Sequence, residues 1–347
     1  MTTLADLTTL HVGGPAARFV ETTTEAEFID AIRTADSAGE PLLVVGGGSN
    51  LLVSDAGFDG LVLKDARAQM RVQDDGFCGG VSVTATAGMP WDDVVARSVS
   101  EGWVGLEALS GIPGSAGAAP VQNIGAYGAE LADTLATVRV WDREFAKVRT
   151  LMLIELGFGY RTSLLKTSLA APYGPTPRYV VLDVTVQMRF GTRSGPVRYA
   201  QLANVLGIAE GGTASVSEVR SAVLELRRGK GMVLDASDHD TWSAGSFFTN
   251  PVVADSDVPD GAPRYPAAGG LVKTSAAWLI EHAGISKGFA LPGSRAAISS
   301  KHTLALTNRS DATAAEVLDL ARHVRTTVRE RYGIDLAPEP VLVGDGL

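Results

Sequence analysis

The chain has 347 residues, enough for two or three domains, and its shares of 45% hydrophobic and 20% charged residues are ordinary for a globular protein. Its formal net charge of −9 argues against a nucleic-acid-binding protein, because phosphate backbones need a basic face. An anionic small substrate is still compatible with this charge, since a few local basic side chains make a positive pocket.

Two features of the sequence indicate the compartment. Cys78 is the one cysteine, so an intrachain disulfide and a cysteine-only metal site are impossible, as suits a reducing cytoplasm. The N-terminus lacks the basic and apolar segments of a secretory signal, and the apolar stretches fall short of the roughly 20 residues that span a bilayer. We therefore expect a cytoplasmic protein that does not bind a membrane.

The N-terminal part of the chain predicts mixed α and β structure with closely spaced strands, which favours an α+β layout. A capping-box pattern at Thr24 and Glu27 lies within the first predicted helix. The predicted helices cover residues 21–38 and 91–101, and the predicted strands cover 41–45, 60–64 and 81–87, with 51–53 extended.

The C-terminal part predicts further strands and several amphipathic helices. An alternating run at 178–188 predicts a long central strand, and the polar stretch 229–242 is a candidate interdomain link. The apolar tail around Glu339 predicts a docked strand rather than a frayed end. The other predicted elements are strands at 138–141 and 303–306, and helices at 217–228 (opened by Ser217), 274–283 and 312–332.

Two glycine-dense loops are the first candidates for a binding site. The loop Gly46-Gly47-Gly48-Ser49-Asn50 is neither a dinucleotide-binding G-x-G-x-x-G nor a phosphate-binding loop ending in G-K-[ST]. Taken alone, this loop is better interpreted as a glycine turn between two strands. Successive glycine amides can also form an anion-binding nest. The second loop, at 111–128, is rich in small residues and offers the amides of Gln122 and Asn123. Together the loops predict a site for a phosphorylated cofactor.

Three polar side chains are candidates for chemistry. Ser246 lies between a glycine and two aromatic residues, shortly before an Asn-Pro pair that ends the segment, and its hydroxyl is a candidate for proton transfer. Arg161 follows a tyrosine, and its guanidinium suits a carboxylate or a developing enolate, although a surface arginine gives the same pattern. Glu339 lies between two prolines that restrict its backbone. The five histidines show no metal-ligand spacing.

These segments, in this order, closely resemble the UDP-N-acetylenolpyruvoylglucosamine reductase family of flavoenzymes, in its longer type with a tyrosine-bearing loop. The resemblance covers nearly the whole chain, and each segment is moderate evidence while the ordered set is very specific. It rests on residues 8–16, 46–50, 111–128, 160–161, 198–202, 244–251, 276–281, 284 and 338–339.

The resemblance implies an α+β architecture: a two-lobed FAD-binding fold of the vanillyl-alcohol-oxidase (PCMH) type and a smaller α+β substrate domain. The first lobe would be residues 1–69 with the tail 336–347, the second lobe 70–232, and the substrate domain 233–335. It also implies a monomer with non-covalent FAD. The implied cofactor-binding residues are Val45, Gly46, Gly47, Gly48, Ser49, Asn50, Leu51, Gly111, Ile112, Pro113, Gly114, Ser115, Gly117, Ala118, Gln122, Asn123, Ile124, Gly125, Ala126 and Tyr127.

The resemblance further implies the reaction. NADPH reduces FAD, and hydride from the flavin adds to the terminal alkene carbon of UDP-N-acetylglucosamine enolpyruvate, giving UDP-N-acetylmuramate for peptidoglycan synthesis. Arg161 and Glu339 would stabilise the enolate, and Ser246 would supply the proton. The implied substrate-binding residues are Tyr199, Lys230, Asn250 and His302.

The chain departs from the family pattern at three places. Thr162 replaces the acidic residue that usually follows the arginine, which bears on the orientation of Arg161. The segment between Lys230 and Ser246 is longer than usual, and Pro340 stands where an apolar residue is common. None of these departures removes a proposed catalytic group.

Three other classes of function stay open at the level of the sequence. A flavin oxidase of the same fold often links FAD covalently through His or Cys, but Cys78 lies in neither glycine loop and His11 is isolated. A non-catalytic flavin or nucleotide binder would keep the loops without needing the three polar side chains. A serine hydrolase is poorly supported, because Ser246 and Ser115 lack the G-x-S-x-G elbow.

Overall fold

The chain folds into two compact units. The computed structural model describes residues 2–74, 80–169, 172–344 and 346–347, so Cys78 lies outside the described residues. The smaller unit comprises Met1–Ala16, Gly48–Phe58 and Leu234–Leu347, and the larger unit comprises Ala17–Gly47 and Asp59–Val233. The boundary at 233–234 falls inside the candidate link 229–242, and the division into three domains stays a prediction.

Helices and strands alternate irregularly along both units. The helices are α1 Glu25–Ala38, α2 Trp91–Ser100, α3 Leu164–Thr167, α4 Ala200–Leu206, α5 Val216–Gly229, α6 Ala276–His282 and α7 Ala314–Tyr332. The strands are β1 Ala16–Thr22, β2 Leu42–Val45, β3 Leu51–Val53, β4 Phe58–Asp65, β5 Met70–Asp74, β6 Val81–Thr86, β7 Trp103–Val104, β8 Gly125–Ala126, β9 Ala129–Glu130, β10 Leu135–Asp142, β11 Lys147–Met152, β12 Tyr179–Phe190, β13 Ser243–Ser246, β14 Val252–Val253, β15 Tyr265–Pro266, β16 Val272–Lys273, β17 Ala296–Ile298, β18 Ala305–Asn308 and β19 Val341–Val343.

The larger unit is organised around β12, as its alternating run predicts. This strand pairs antiparallel with β10 on one side and with β6 on the other, in the sheet order β11-β10-β12-β6-β5. Val180 and Leu182 pack with Phe28 and Ile32 of α1. The other apolar residues of β12 pack into a second core with α2, and these are Tyr179, Val181, Val184, Val186 and Met188. The first four residues of β12 are covered on both faces and form a continuous apolar run, whereas apolar and polar residues alternate from Asp183 onward.

An apolar core of the smaller unit is built on α7 and the sheet β13-β18-β17. The C-terminal tail joins this unit as predicted: β19 pairs parallel with β3, with Val341 opposite Leu51 and Val343 opposite Val53. The tail is therefore a docked strand, and the pairing brings residues near the chain end beside the first glycine loop. Among the described residues, no helix is both long and apolar enough to cross a membrane.

Local capping signals predicted several helix starts well, and two were misplaced. Thr24 and Glu27 form the predicted capping box, so α1 begins at Glu25 and the predicted start at residue 21 is wrong. Glu21 and Thr22 belong to β1, and the N-cap residue Thr24 also has extended backbone angles. Ser215, rather than Ser217, caps α5. The other boundaries differ from prediction by up to three residues. The largest difference is at the strand predicted at 138–141, which is β10 and begins at Leu135.

Candidate active site

The first two residues of the first glycine loop, Gly46 and Gly47, approach the second loop within the larger unit. A Cβ atom added to Gly47 would lie 2.7 Å from the Cα atom of Gly114, and one added to Gly46 would overlap the Oγ atom of Ser115. The obstacle at Gly47 is main chain, so this position has no space for a side chain, whereas the obstacle at Gly46 is a side-chain hydroxyl. The glycines thus let two loops distant in sequence merge into one surface that exposes backbone rather than side chains.

The second loop is held at its first residue by charged side chains that the sequence analysis missed. Asp92 accepts a hydrogen bond from the Gly111 N–H at 2.6 Å, and its two oxygens pair with Arg220 at 2.7 and 2.8 Å. Arg227 donates to the Gly111 carbonyl at 3.1 Å and to the Met232 carbonyl at 2.8 Å. Burial lowers the pKa of Arg227 to about 10, so it stays charged at neutral pH. In the sequence, Asp92, Arg220 and Arg227 look like ordinary charges on helical faces.

The middle of the second loop is fixed by Asn123. This residue is 1% exposed, its side-chain amide donates to Glu130 at 2.8 Å, and its side-chain oxygen accepts from the Ala132 N–H at 3.1 Å. The side chain predicted to serve a ligand is therefore engaged by the protein, and the role of Asn123 in binding the cofactor stays a prediction. Asn123 has a φ of 47°, in the left-handed region that side chains rarely adopt.

Arg161 is anchored on the second loop. Its guanidinium donates to the Gly125 carbonyl at 3.1 Å and to the Asn123 carbonyl at 3.4 Å. Its own φ is 54°, while Gly159 and Thr162 exchange backbone hydrogen bonds around it. The side chain is half-buried, so it differs from the surface arginine that the sequence left open. Left-handed residues other than glycine are uncommon and cluster at functional sites.

Tyr199 and Lys230, which were predicted to bind substrate, lie around Tyr127. The Tyr199 ring packs edge-on against the Tyr127 ring at a centroid distance of 5.4 Å. The Lys230 ammonium lies 5.5 Å from the Tyr127 centroid and donates to the Gln201 side chain at 3.0 Å. Burial raises the pKa of Tyr127, so its hydroxyl stays protonated at neutral pH. The two predicted residues thus belong to one cluster, to which the structure adds Gln201.

In the smaller unit, Ser246 ends β13 at an irregular point of the sheet. The β13–β18 register shifts between Ser243 and Ser246, and Gly245 takes a φ of 71°. A bulge of this kind redirects the following side chain. The Ser246 Oγ atom lies 3.5 Å from Nε2 of His302, at the outer limit of hydrogen bonding. Phe247, 1% exposed, anchors the strand in the core.

Glu339 is a backbone neighbour of the Ser246 strand. Its N–H donates to the Phe247 carbonyl at 2.8 Å, and Pro338 forms a bridge with Phe248. Asn50, from the first glycine loop, donates its side-chain amide to the Glu339 carbonyl at 3.3 Å. Residues from three distant parts of the sequence therefore meet within this unit.

Asn250 has a structural contact of its own. Its side-chain oxygen accepts a hydrogen bond from the Ala276 N–H at 3.0 Å, at the start of α6. This contact orients the amide, and the predicted role of Asn250 in binding substrate stays a prediction.

A polar cavity of about 450 Å³ opens in the larger unit, and its lining includes none of the predicted site residues. Its charged groups pair internally: Arg139 binds both Glu25 and Asp183, and Arg67 binds Glu25. This cavity gives no reason to move the candidate site. The described residues also contain no group of three or more His, Cys, Asp or Glu side chains that would hold a metal ion.

The residues present fit a large phosphorylated cofactor. In the larger unit the merged loops expose backbone at positions where a Cβ atom has no space, and Gly111 and Gly114 have φ values of 69° and 121°. Loops of this kind turn N–H groups toward an anion and let it approach the main chain closely.

Comparison with known proteins identifies both parts of the chain. A family model described as "FAD binding domain" matches residues 16–150, and one described as "UDP-N-acetylenolpyruvoylglucosamine reductase, C-terminal domain" matches residues 236–343. The UDP-N-acetylenolpyruvoylglucosamine reductase of Cutibacterium acnes is 52% identical, covering 98% of this chain and 89% of that protein. The reductase of Saccharopolyspora erythraea is 53% identical, covering 98% of this chain and 94% of that protein.

A solved structure gives the same result. The UDP-N-acetylenolpyruvylglucosamine reductase (MurB) of Thermus caldophilus is 26% identical to this chain, with a TM-score of 0.64 and coverage of 99% of this chain and 98% of that one. Similarity to relatives this close, over nearly the full length of both proteins, establishes the family and with it the predicted FAD-binding α+β fold. The chain belongs to the UDP-N-acetylenolpyruvoylglucosamine reductase family.

Proposed function

We propose that this FAD-dependent oxidoreductase reduces the enolpyruvyl group of UDP-N-acetylglucosamine enolpyruvate to the lactyl ether, with NADPH as the hydride source. The product, UDP-N-acetylmuramate, would serve peptidoglycan synthesis. The observation that carries the proposal is the backbone pairing of the Ser246 strand with the Glu339 segment. It supports the assignment because a proton donor and an enolate stabiliser have to act on the same substrate.

The FAD would be held by the two glycine loops, chiefly through backbone N–H groups. Asp92 and Arg227 would act indirectly, since they hold Gly111 from its N–H and its carbonyl. When bound there, FAD would supply the hydride chemistry at the terminal alkene carbon of the substrate, with NADPH as the source of the hydride. The chain's own residues would orient the enolpyruvyl group, stabilise charge and provide the proton.

Three side chains would act on the enolpyruvyl group. Addition of hydride places negative charge on the neighbouring carbon and the carboxylate, where the Arg161 guanidinium would balance it. Glu339 in its protonated form would donate a hydrogen bond to the same charge. Ser246 would then donate its hydroxyl proton to the carbanionic carbon. A serine hydroxyl is a weak acid, and the transfer is feasible because an enolate is a strong base. The two carbonyl contacts of Arg161 support this role, since they orient its guanidinium.

The nucleotide-sugar would be bound by the cluster around Tyr127. Lys230 provides a charge for the phosphates, and the exposed ring of Tyr199 can cover them. Asn250 and His302 would contact the rest of the substrate. That the enzyme works as a cytoplasmic monomer remains a prediction from the sequence.

Anaerobic stopped-flow absorbance tests the proposal on the purified holoprotein. NADPH should bleach the flavin, and UDP-N-acetylglucosamine enolpyruvate should then restore the oxidised spectrum without oxygen. Ser246→Ala should bleach normally and reoxidise slower by about 10²- to 10⁴-fold, the usual contribution of a positioned general acid.

Ser256→Ala is the matched control, because Ser256 lies on an exposed turn of the same unit and is not a predicted site residue. It should behave as the unmodified protein in both half-reactions. Bleaching without reoxidation by this substrate would contradict the proposed specificity. Absence of bleaching by NADPH would contradict the proposed hydride source and favour the oxidase or passive-binder readings.

A further inference from the structure

The segment between Lys230 and Ser246 carries a buried carboxylate, Asp240. This side chain is 5% exposed and accepts hydrogen bonds from the Ser299 hydroxyl at 2.9 Å and the Ser300 N–H at 2.8 Å. It also accepts from the Ser300 hydroxyl and pairs with Arg309 at 2.6 Å. Burial opposes ionisation, but the Ser300 and Ser299 hydrogen bonds and the Arg309 charge keep the pKa of Asp240 below its usual value.

The partners of Asp240 belong to the loop that presents His302. Ser299, which donates to Asp240, accepts hydrogen bonds from the N–H groups of Lys301 at 3.0 Å and His302 at 3.3 Å. The Lys301 ammonium pairs with Asp238, which lies on the same long segment as Asp240. The carbonyl of His302 accepts from the Ala305 N–H at 3.1 Å, so the loop is fixed at both ends.

The loop places the His302 imidazole against Ser246, with 3.5 Å between Nε2 and Oγ. All these groups lie within the smaller unit. The connection runs from a buried carboxylate, through a loop that it holds, to an imidazole beside the proposed proton donor. A ring that can both donate and accept a proton is chemically suited to that position.

We propose that Asp240 is a positioning residue for His302, and that His302 returns to Ser246 the proton that the serine donates. This inference rests on the proposed function of Ser246. In the step, the Ser246 O–H bond breaks as the C–H bond of the product forms, which leaves an alkoxide. The alkoxide takes the Nε2 proton of the His302 imidazolium, which leaves a neutral imidazole, and the ring then regains a proton from solvent. No electrons are exchanged with the protein.

The physical need for this step follows from the weakness of serine as an acid. An alkoxide left in a partly buried site is unfavourable unless a proton or a donor reaches it at once. Nε2 of His302 is at the required place only while its loop holds its position. Removing the Asp240 charge leaves Arg309 and the Ser300 N–H without their anionic partner, which loosens that loop.

A double-mutant cycle on the holoprotein tests the inference. Asp240→Asn, His302→Gln and the double variant are compared in the anaerobic assay, with NADPH bleaching as the internal reference. Each single variant should slow reoxidation by on the order of tenfold and leave bleaching unchanged. The double variant should be about as slow as His302→Gln alone, because Asp240 acts through His302. Asp319→Asn, an exposed ion-pair carboxylate on α7, is the control expected to change nothing.

A second readout does not depend on activity. The chain has five histidines, so the His302 ring signal can be assigned in ¹H–¹⁵N spectra by its loss in His302→Gln. This signal should shift in Asp240→Asn and stay in place in Asp319→Asn.

Independent, multiplicative effects of about a hundredfold in the double variant would overturn the positioning role. So would an unchanged His302 signal, or equal losses in bleaching and reoxidation. If Asp240→Asn does not fold, Ser300→Ala removes one donor to the carboxylate and should give the same pattern with a smaller change; normal reoxidation in that variant would overturn the inference. A wild-type holoprotein that bleaches but is not reoxidised by the substrate would instead refute the proposed function.

Discussion

The close approach of the glycine loops gives a sharp test at Gly47. Its backbone lies outside the left-handed region, so alanine is acceptable there on conformational grounds. Space alone opposes the substitution, because the new Cβ atom would lie 2.7 Å from the Cα atom of Gly114. The obstacle is backbone, which cannot rotate away as a flexible side chain would. Gly47→Ala therefore has to push the two loops apart.

The expected magnitude follows from the cost of overpacking. Inserting a methyl group into a closely packed site costs about 1–3 kcal/mol. If this cost falls on the arrangement that binds FAD, the Kd for FAD rises by about 5- to 150-fold, since 1.4 kcal/mol corresponds to a factor of ten. The loss should appear as cofactor release on dilution of the purified protein.

The assay is titration of the apoprotein with FAD, followed by flavin fluorescence and calorimetry, with thermal unfolding measured on the same samples. Gly229→Ala is the matched control, because a Cβ atom added at the end of α5 meets nothing within 4 Å. The control should bind FAD as the wild type does. Unchanged FAD affinity in a folded Gly47→Ala protein would refute the argument that the merged loops form the cofactor surface.

Three further predictions concern the loop anchor, the substrate cluster and the tail. Burial opposes the ionisation of Asp92, but Arg220 and the Gly111 N–H lower its pKa. The ionised carboxylate therefore stabilises the fold above the usual carboxyl pKa of about 4. This contribution is lost as the pH falls through the lowered pKa. Asp92→Asn should thus unfold more easily than wild type at pH 7, with the difference shrinking below about pH 4 in denaturant titrations. Lys230→Met should raise KM for the nucleotide-sugar by about 10- to 150-fold with unchanged NADPH bleaching; an unchanged KM would remove Lys230 from the site. Ending the chain after Leu336 removes β19 and should lower the unfolding temperature and abolish turnover, whereas retained turnover would exclude a catalytic role for the tail.

Local sequence rules determined much of the secondary structure. The capping box at Thr24 and Glu27 marks the start of α1, because a side-chain cap satisfies N–H groups that only a helix end leaves open. The same signal shows why the start predicted at residue 21 fails. The alternating run at 178–188 identifies β12, and the apolar tail identifies β19, since each pattern reports which side chains are buried.

The sequence also indicated, through the order of its motifs, which family the chain belongs to, and the comparisons confirmed it. It could not show which polar groups meet. Asn123 looked like a ligand-facing amide, and the fold turns its side chain inward onto Glu130 and the Ala132 N–H. Whether an amide faces a ligand or the protein depends on neighbours that local periodicity does not encode.

Only the tertiary structure decided the contacts between distant segments. The parallel pairing of β19 with β3 and the approach of Gly47 to Gly114 join segments that are far apart along the chain. The same holds for Asp240, whose charge lies in a polar stretch that reads as a linker until the fold buries it beside the loop of His302. Burial and pairing of a charge depend on the low-dielectric surroundings that the whole fold creates, whereas helix caps and strand alternation depend on near neighbours in the chain.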